Sequence, residues 1–281
     1  MDSLFPRGTF FLIAGPCVLE NDELNLRVAE HIANLRGIVP GPIIFKASFD
    51  KANRSAGASA RGPGLDLGLA ALQRVSRNTG LPVLTDVHLP EQCGTAARVV
   101  DALQIPAFLC RQTDLLVAAG ATGKPVNIKK GQWMTPDGMV GAVGKVRAAR
   151  NGSSGAGTGG GGGGGADVAV TERGTFFGYG DLVVDMRSIA RLRETCAAPV
   201  IFDATHSVQK PGAGADGSSG GDRAFIGTLA CAAVAAGADG VFIETHPDPD
   251  HAPSDGPNML PLSELNGLIE RLVRVFEASR R

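Results

Sequence analysis

The chain has no Cys-x-x-Cys pair, no excess of charge, no long apolar run and no Gly-Lys-Ser/Thr phosphate loop. Each absence excludes something. The five cysteines, Cys17, Cys93, Cys110, Cys196 and Cys231, are scattered and odd in number. Free thiols in a reducing compartment are the expectation. Lys and Arg total 27 against 28 Asp and Glu, so no basic surplus points to nucleic acid or an anionic membrane. No apolar run approaches the ~18 residues of a membrane span. Residues Met1 to Arg7 lack the charged and apolar regions of a secretory signal. A soluble cytoplasmic protein is expected, with neither nucleic acid nor membrane as partner. The one near miss to a phosphate loop, Gly120-Ala-Thr-Gly-Lys124, lacks both the spacing and the hydroxyl.

What is present is a repeating unit. Short apolar runs occur at Phe10–Ala14, Pro42–Phe45, Pro82–Thr85, Ala102–Pro106, Pro125–Ile128, Val168–Thr171, Pro199–Phe202 and Gly240–Ile243. They read as buried strands. Stretches of helical periodicity lie between them, such as Leu24–Leu35, Leu65–Val75, Leu182–Leu192 and Phe225–Ala235, and Leu262–Phe276 follows the last. Eight alternating units predict an α/β chain folded as a single (β/α)₈ TIM barrel over residues 1–281. An open doubly wound sheet is the structural alternative. Two segments break the pattern. Residues 151–166 include seven consecutive glycines, Gly159–Gly165, and read as a flexible connection. Residues 211–221 form a second Gly/Ser-rich stretch, suited to a lid or to an idle surface loop.

Polar chemistry follows every strand: Cys17, Lys46, Asp86, Gln104, Lys129, Arg173, His206 and Glu244. Barrel active sites gather at such strand ends. Cations dominate, with Lys46, Lys51, Arg54, Arg111, Lys129, Lys130 and Arg173 on the expected rim. That number calls for two anionic ligands, or for one carrying both phosphate and carboxylate. The segment Lys51-Ala-Asn-Arg-Ser55 joins a point charge, a planar guanidinium fork, an amide and a hydroxyl. It suits phosphate and sugar hydroxyls. A second group, Cys17, His206, Glu244 and Asp255, offers donors for Fe²⁺, Zn²⁺ or Mn²⁺. These residues come from strands 1, 7 and 8 and the following loop, which become neighbours once a barrel closes. A buried apolar Cys17 and a hydrogen-bonded rim His206 are the alternatives.

Eight stretches carry a family resemblance. They are Ala14-Gly-Pro-Cys-Val-Leu-Glu20, Phe45-Lys-Ala-Ser-Phe-Asp-Lys-Ala-Asn-Arg-Ser55, Leu84-Thr-Asp-Val-His88 and Gln104-Ile-Pro-Ala-Phe-Leu109. Arg111-Gln-Thr-Asp114, Asn127-Ile-Lys-Lys-Gly-Gln132, Phe202-Asp-Ala-Thr-His-Ser-Val-Gln209 and Glu244-Thr-His-Pro-Asp-Pro249 complete them. In order along nearly the whole chain, they resemble the 3-deoxy-D-manno-octulosonate 8-phosphate (Kdo8P) synthases. The related synthase that opens aromatic biosynthesis has Lys-Pro-Arg-Thr in place of Lys-Ala-Asn-Arg-Ser.

The resemblance implies a TIM barrel assembled as a homotetramer. It implies condensation of phosphoenolpyruvate with D-arabinose 5-phosphate on the route to lipopolysaccharide. By position, Lys46, Lys129 and Arg173 correspond to phosphoenolpyruvate anchors, and Asn53, Arg54 and Ser55 to the pentose-phosphate site. Ser48, Lys51, Asp86 and Gln104 correspond to supports around them, and Arg111 to an anion contact, within one chain or across a subunit boundary. The metal-free branch of the family carries Asn where this chain has Cys17, so Cys17, His206, Glu244 and Asp255 imply the metal-requiring branch. Lys129, His206 and Glu244 are the groups expected at the chemistry. The departures are the polyglycine stretch and a short segment before the first strand. Two rival readings are a Schiff-base aldolase acting through Lys129 and a non-catalytic sugar-phosphate binder.

Overall fold

A computed structural model describes residues 3–52, 61–150, 152, 168–213 and 220–280. Its strands, in chain order, are β1 (Phe11–Gly15), β2 (Ile43–Lys46), β3 (Val83–Asp86), β4 (Ala102–Ile105), β5 (Val126–Lys129) and β6 (Val168–Glu172). They continue as β7 (Thr175–Gly178), β8 (Asp181–Val183), β9 (Val200–Asp203), β10 (Gln209–Lys210), β11 (Gly220–Gly221), β12 (Gly240–His246) and β13 (Leu260–Pro261). The helices are α1 (Asp22–Ala33), α2 (Leu65–Thr79), α3 (Pro90–Ala97), α4 (Thr113–Ala121), α5 (Val140–Arg150), α6 (Arg187–Cys196), α7 (Ile226–Ala235) and α8 (Leu265–Ser279).

Eight strands run parallel in the order β1-β2-β3-β4-β5-β6-β9-β12, and β12 pairs with β1 to close the ring. The closed (β/α)₈ barrel is the fold expected, and the open sheet is ruled out by that last pairing. Side chains alternate along each strand. One set, including Leu12, Phe45, Val83, Leu103, Ile128, Val170, Phe202 and Ile243, faces outward and builds the main core with the helices. The other set fills the barrel: Phe11, Ile13, Ile44, Leu84, Ala102, Ala169, Ile201 and Phe242, with Phe5 added from the leading segment. The Phe5 ring centre lies 5.9 Å from that of Phe11, so Phe5 plugs the end where the strands begin.

The inward set changes character two residues on. Ile44 is followed by Lys46, Leu84 by Asp86, Ala102 by Gln104, Ala169 by Thr171, Ile201 by Asp203 and Phe242 by Glu244. An apolar floor thus carries a polar mouth. Strands therefore reach one residue further than the apolar runs suggest, through Lys46, Asp86, Lys129, Glu172 and Asp203. Only β4 stops early, before Pro106, which has no N–H to give the ladder.

The helix expected from Leu182 begins instead at Arg187. Its first residues belong to β8, which pairs antiparallel with β7. Tyr179 and Gly180 join the two strands, with φ of 44° and 84°, the positive values that a tight two-residue hairpin turn requires. The polyglycine stretch, Asn53, Arg54, Ser55 and residues 214–219 of the second Gly/Ser-rich stretch lie outside the described residues. Among the described residues no helix is long and apolar enough to cross a membrane.

Candidate active site at the barrel mouth

The polar ends form one connected network. On β2, Lys46 Nζ donates to Glu244 Oε1 at 2.9 Å and to the Cys17 carbonyl at 3.2 Å, and lies 3.4 Å from Asp86 Oδ2. Asp86 accepts from Ser48 Oγ and, at 2.6 Å, from Gln104 Nε2. Gln104 Oε1 accepts from Asn127 Nδ2 at 2.8 Å, and Asn127 Oδ1 from Thr171 Oγ1 at 2.7 Å. Five consecutive strands are thus tied by side-chain bonds inside the barrel. Each member has its polar atoms engaged, which fixes rotamers in a low-dielectric setting.

A second arm starts at Lys129. Its Nζ donates to Asp203 Oδ2 at 2.6 Å and lies 3.4 Å from His206 Nδ1 and 3.7 Å from the centre of the Phe242 ring. Asp203 also lies 2.8 Å from His206 Nδ1 and accepts from the His206 backbone N–H at 2.9 Å. His206 Nε2 then faces Glu244 Oε2 at 3.5 Å. Arg173 reaches over the mouth, donating to Gln209 Oε1 at 2.5 Å and to the His206 carbonyl at 3.2 Å. Gln209 Nε2 donates to Asp255 Oδ1 at 3.0 Å.

The third arm holds the candidate metal donors. Cys17 Sγ lies 3.1 Å from Asp255 Oδ2 and 3.3 Å from Ser254 Oγ. Donor atoms of Cys17, Glu244 and Asp255 lie within 4.8 Å of one another, and His206 joins through Glu244. Asp255 sits at φ 55°, a left-handed conformation rare for a side-chain-bearing residue. Burial, with Glu244 beside it, pushes the Cys17 thiol well above its usual range. As a thiolate, Cys17 would repel the two carboxylates crowded beside it. A divalent cation would turn that repulsion into attraction, and sulfur, imidazole and carboxylate donors suit a transition metal. The residues present fit such an ion.

The charges are mutually set. Burial disfavours each of them, yet Lys46, Lys51 and Lys129 hold Asp86 far below the usual carboxylate range. His206 and Lys46 likewise hold Glu244 at about 2. Glu244 and Asp86 keep Lys46 above its ordinary value against burial. Lys129 goes the other way: burial lowers it, with Asp203 opposing.

A profile of the DAHP synthetase I family matches residues 7–279. The chain belongs to that family. Within it, the chain is 52% identical over 271 residues to a 2-dehydro-3-deoxyphosphooctonate aldolase of Syntrophobacter fumaroxidans, covering 96% of this chain and 88% of that protein. Proteins of the same name from Rhodopseudomonas palustris and Bradyrhizobium diazoefficiens are 55% and 54% identical over 267 residues, covering 95% of this chain and 88% and 89% of theirs. That name denotes Kdo8P synthase, the family the motifs resemble.

In this family member, the barrel brings together Cys17, Lys46, Ser48, Asp86, Gln104, Lys129, Arg173, His206, Glu244 and Asp255. Lys51 is close enough for Cys17 and Glu244 to raise it against burial. Arg111 is exposed. Lys130 is a correction. It is buried and points out of the barrel, because Lys129 already takes the inward position next to it. His206 does not end a strand; it opens the turn three residues after Asp203. Asp203, Asn127 and Gln209 were not singled out in the sequence. Asn127 was within reach, since it stands at an inward position of a predicted strand, and Asp203 directly follows the predicted run Pro199–Phe202. Gln209 had no signal beyond its place in a motif.

Proposed function

We propose that this protein condenses phosphoenolpyruvate with D-arabinose 5-phosphate and water, giving 3-deoxy-D-manno-octulosonate 8-phosphate and phosphate on the route to lipopolysaccharide. The observation that carries this is the set of buried cations, Lys46, Lys129 and Arg173, converging at the mouth of a barrel whose relatives bear the name of that enzyme. Phosphoenolpyruvate is a polyanion. Its C3 must attack the pentose aldehyde, water must add at C2, and phosphate must leave by C–O cleavage.

The three cations hold the phosphate and carboxylate, and they are pre-set by Glu244, Asp203 and Gln209, so little reorganisation accompanies the charge shift. All three cations are buried, which strengthens each interaction. Lys129, with a lowered proton affinity and Asp203 at its Nζ, is suited to hold or release a proton there. His206, with Asp203 on one ring nitrogen and Glu244 on the other, is a second proton carrier. A divalent ion held by Cys17, His206, Glu244 and Asp255 would orient or polarise the aldehyde, or activate water. Asn53, Arg54, Ser55 and Arg111 enter on the family resemblance alone, as pentose-phosphate and anion contacts. Homotetrameric assembly and a cytoplasmic location belong to the same reading.

The test is phosphate release from phosphoenolpyruvate with arabinose 5-phosphate, with and without exhaustive chelation. Release should need both substrates, stop on chelation and return with Fe²⁺ or Mn²⁺. Release without the pentose would overturn the reaction, and full activity after chelation would overturn the metal.

A further inference from the structure

Two buried charges beside the anchors take no part in that chemistry. Asn127 and Lys129 point into the barrel from β5, and Ala169, Thr171 and Arg173 from β6 and its end. Alternation sends Lys130 and Glu172 outward. Each is about 1% exposed, and Lys130 Nζ lies 3.4 Å from Glu172 Oε1. Each is the chain neighbour of a substrate anchor.

Glu172 folds back onto the turn that follows its strand. Its Oε1 accepts from the backbone N–H of Arg173 at 3.0 Å and of Gly174 at 2.7 Å. Its Oε2 accepts from Ser188 Oγ on α6 at 2.7 Å. Lys130 Nζ sits near the carbonyls of Gly131, Met134 and Gly174 and near Thr175 Oγ1, at 3.3–3.5 Å. Gly174 has φ 88°, so the chain bends sharply just where the Arg173 side chain leaves for the mouth.

Stability alone is a weak reason for this arrangement. A buried ion pair is often no better than apolar residues of equal volume. Two backbone N–H groups past a strand end, by contrast, need an acceptor or leave a donor unsatisfied in the interior. We propose that Glu172 is a positioning residue: by accepting from the Arg173 and Gly174 N–H groups it sets the turn that aims Arg173 at the substrate anion. This rests on the reading of Arg173 as a phosphoenolpyruvate anchor.

The experiment measures the dissociation constant of phosphoenolpyruvate by titration calorimetry on the metal-free full chain, with KM for both substrates on the metal-loaded enzyme. Glu172→Ala should weaken phosphoenolpyruvate binding about tenfold or more, since small misplacements of a fixed contact are costly. KM for arabinose 5-phosphate should stay within about twofold. Glu172→Gln keeps a carbonyl acceptor for both N–H groups and should restore binding to within about threefold. The double variant Lys130→Met with Glu172→Leu leaves no unpaired buried charge and should fold, yet should bind as poorly as Glu172→Ala. It carries the test if the alanine variant is insoluble. Arg173→Ala is the reference: if it binds normally, the anchor reading fails. If Arg173→Ala is weak while the Glu172 variants bind like wild type, the positioning role is wrong. Equal losses for both substrates would also refute it, reducing Glu172 to a general structural part.

Discussion

At the residue scale, the site is a set of charges that are bearable only together. Asp86 shows it best. It is buried, accepts from Ser48 and Gln104, and faces Lys46. Because its folded proton affinity is depressed, its stabilisation is present above the unfolded value of 3.8 and is lost as pH falls below it. Asp86→Asn should cost about 3 kcal/mol at pH 7, the scale of breaking a buried pair. The gap to wild type should narrow below about pH 4. Urea unfolding at pH 7 and pH 3.5 would check this, and a constant gap would contradict it. Cys17 poses a different question. Removing its sulfur should lower metal affinity steeply. Cys17→Asn, which places the amide of the metal-free branch there, should keep measurable activity under chelator. Cys17→Ala should be nearly inactive under the same conditions. If the two chelated variants are equally dead, an amide at this position does not replace the metal.

At the element scale, each barrel strand has two halves with separate tasks. The apolar half is legible from composition, which is why all eight strands were placed. The polar half was read as loop, because hydropathy cannot see that Lys46 or Asp203 still pairs in a ladder. β1 is the tightest case. A Cβ on Gly15 would lie 2.1 Å from the Lys46 carbonyl oxygen, so only glycine lets β1 and β2 approach at the site. Gly15→Ala should destabilise by about 3 kcal/mol, at the upper end of overpacking effects. It should also displace both Cys17 and Lys46, so chelator-resistant metal content and phosphoenolpyruvate affinity should fall together. Loss of stability with binding intact would mean that the strands part elsewhere. The β7–β8 hairpin was missed for a local reason. Leu182, Val183 and Val184 continue the apolar spacing of the following helix, so periodicity merged them with it. The Gly-Tyr-Gly turn at Gly178–Gly180 was the available signal.

At the scale of the whole molecule, the barrel separates stability from chemistry along its axis. Phe5 stands at the closed end with Phe11, far from the polar mouth. Phe5→Ala should cost about 3–5 kcal/mol by emptying the plug, while kcat stays near wild type at temperatures where the variant is folded. Thermal melts beside phosphate-release rates would check it. Lost activity in a stably folded variant would contradict the separation. By itself, the sequence determined the fold class, the eight apolar runs and the residue types that follow them, because strand periodicity and strand-end polarity are local properties. It also placed the family, since the motifs are contiguous. Tertiary structure alone decided which groups meet. Cys17 and Asp255 are 238 residues apart, and Lys129 and Asp203 are 74 apart. Only the pairing of β12 with β1 makes the first pair neighbours. The same holds for direction: Lys129 and Lys130 are indistinguishable as letters, and one faces Asp203 inside the barrel mouth while the other faces Glu172. That choice follows from strand register in a closed ring, which no local pattern encodes.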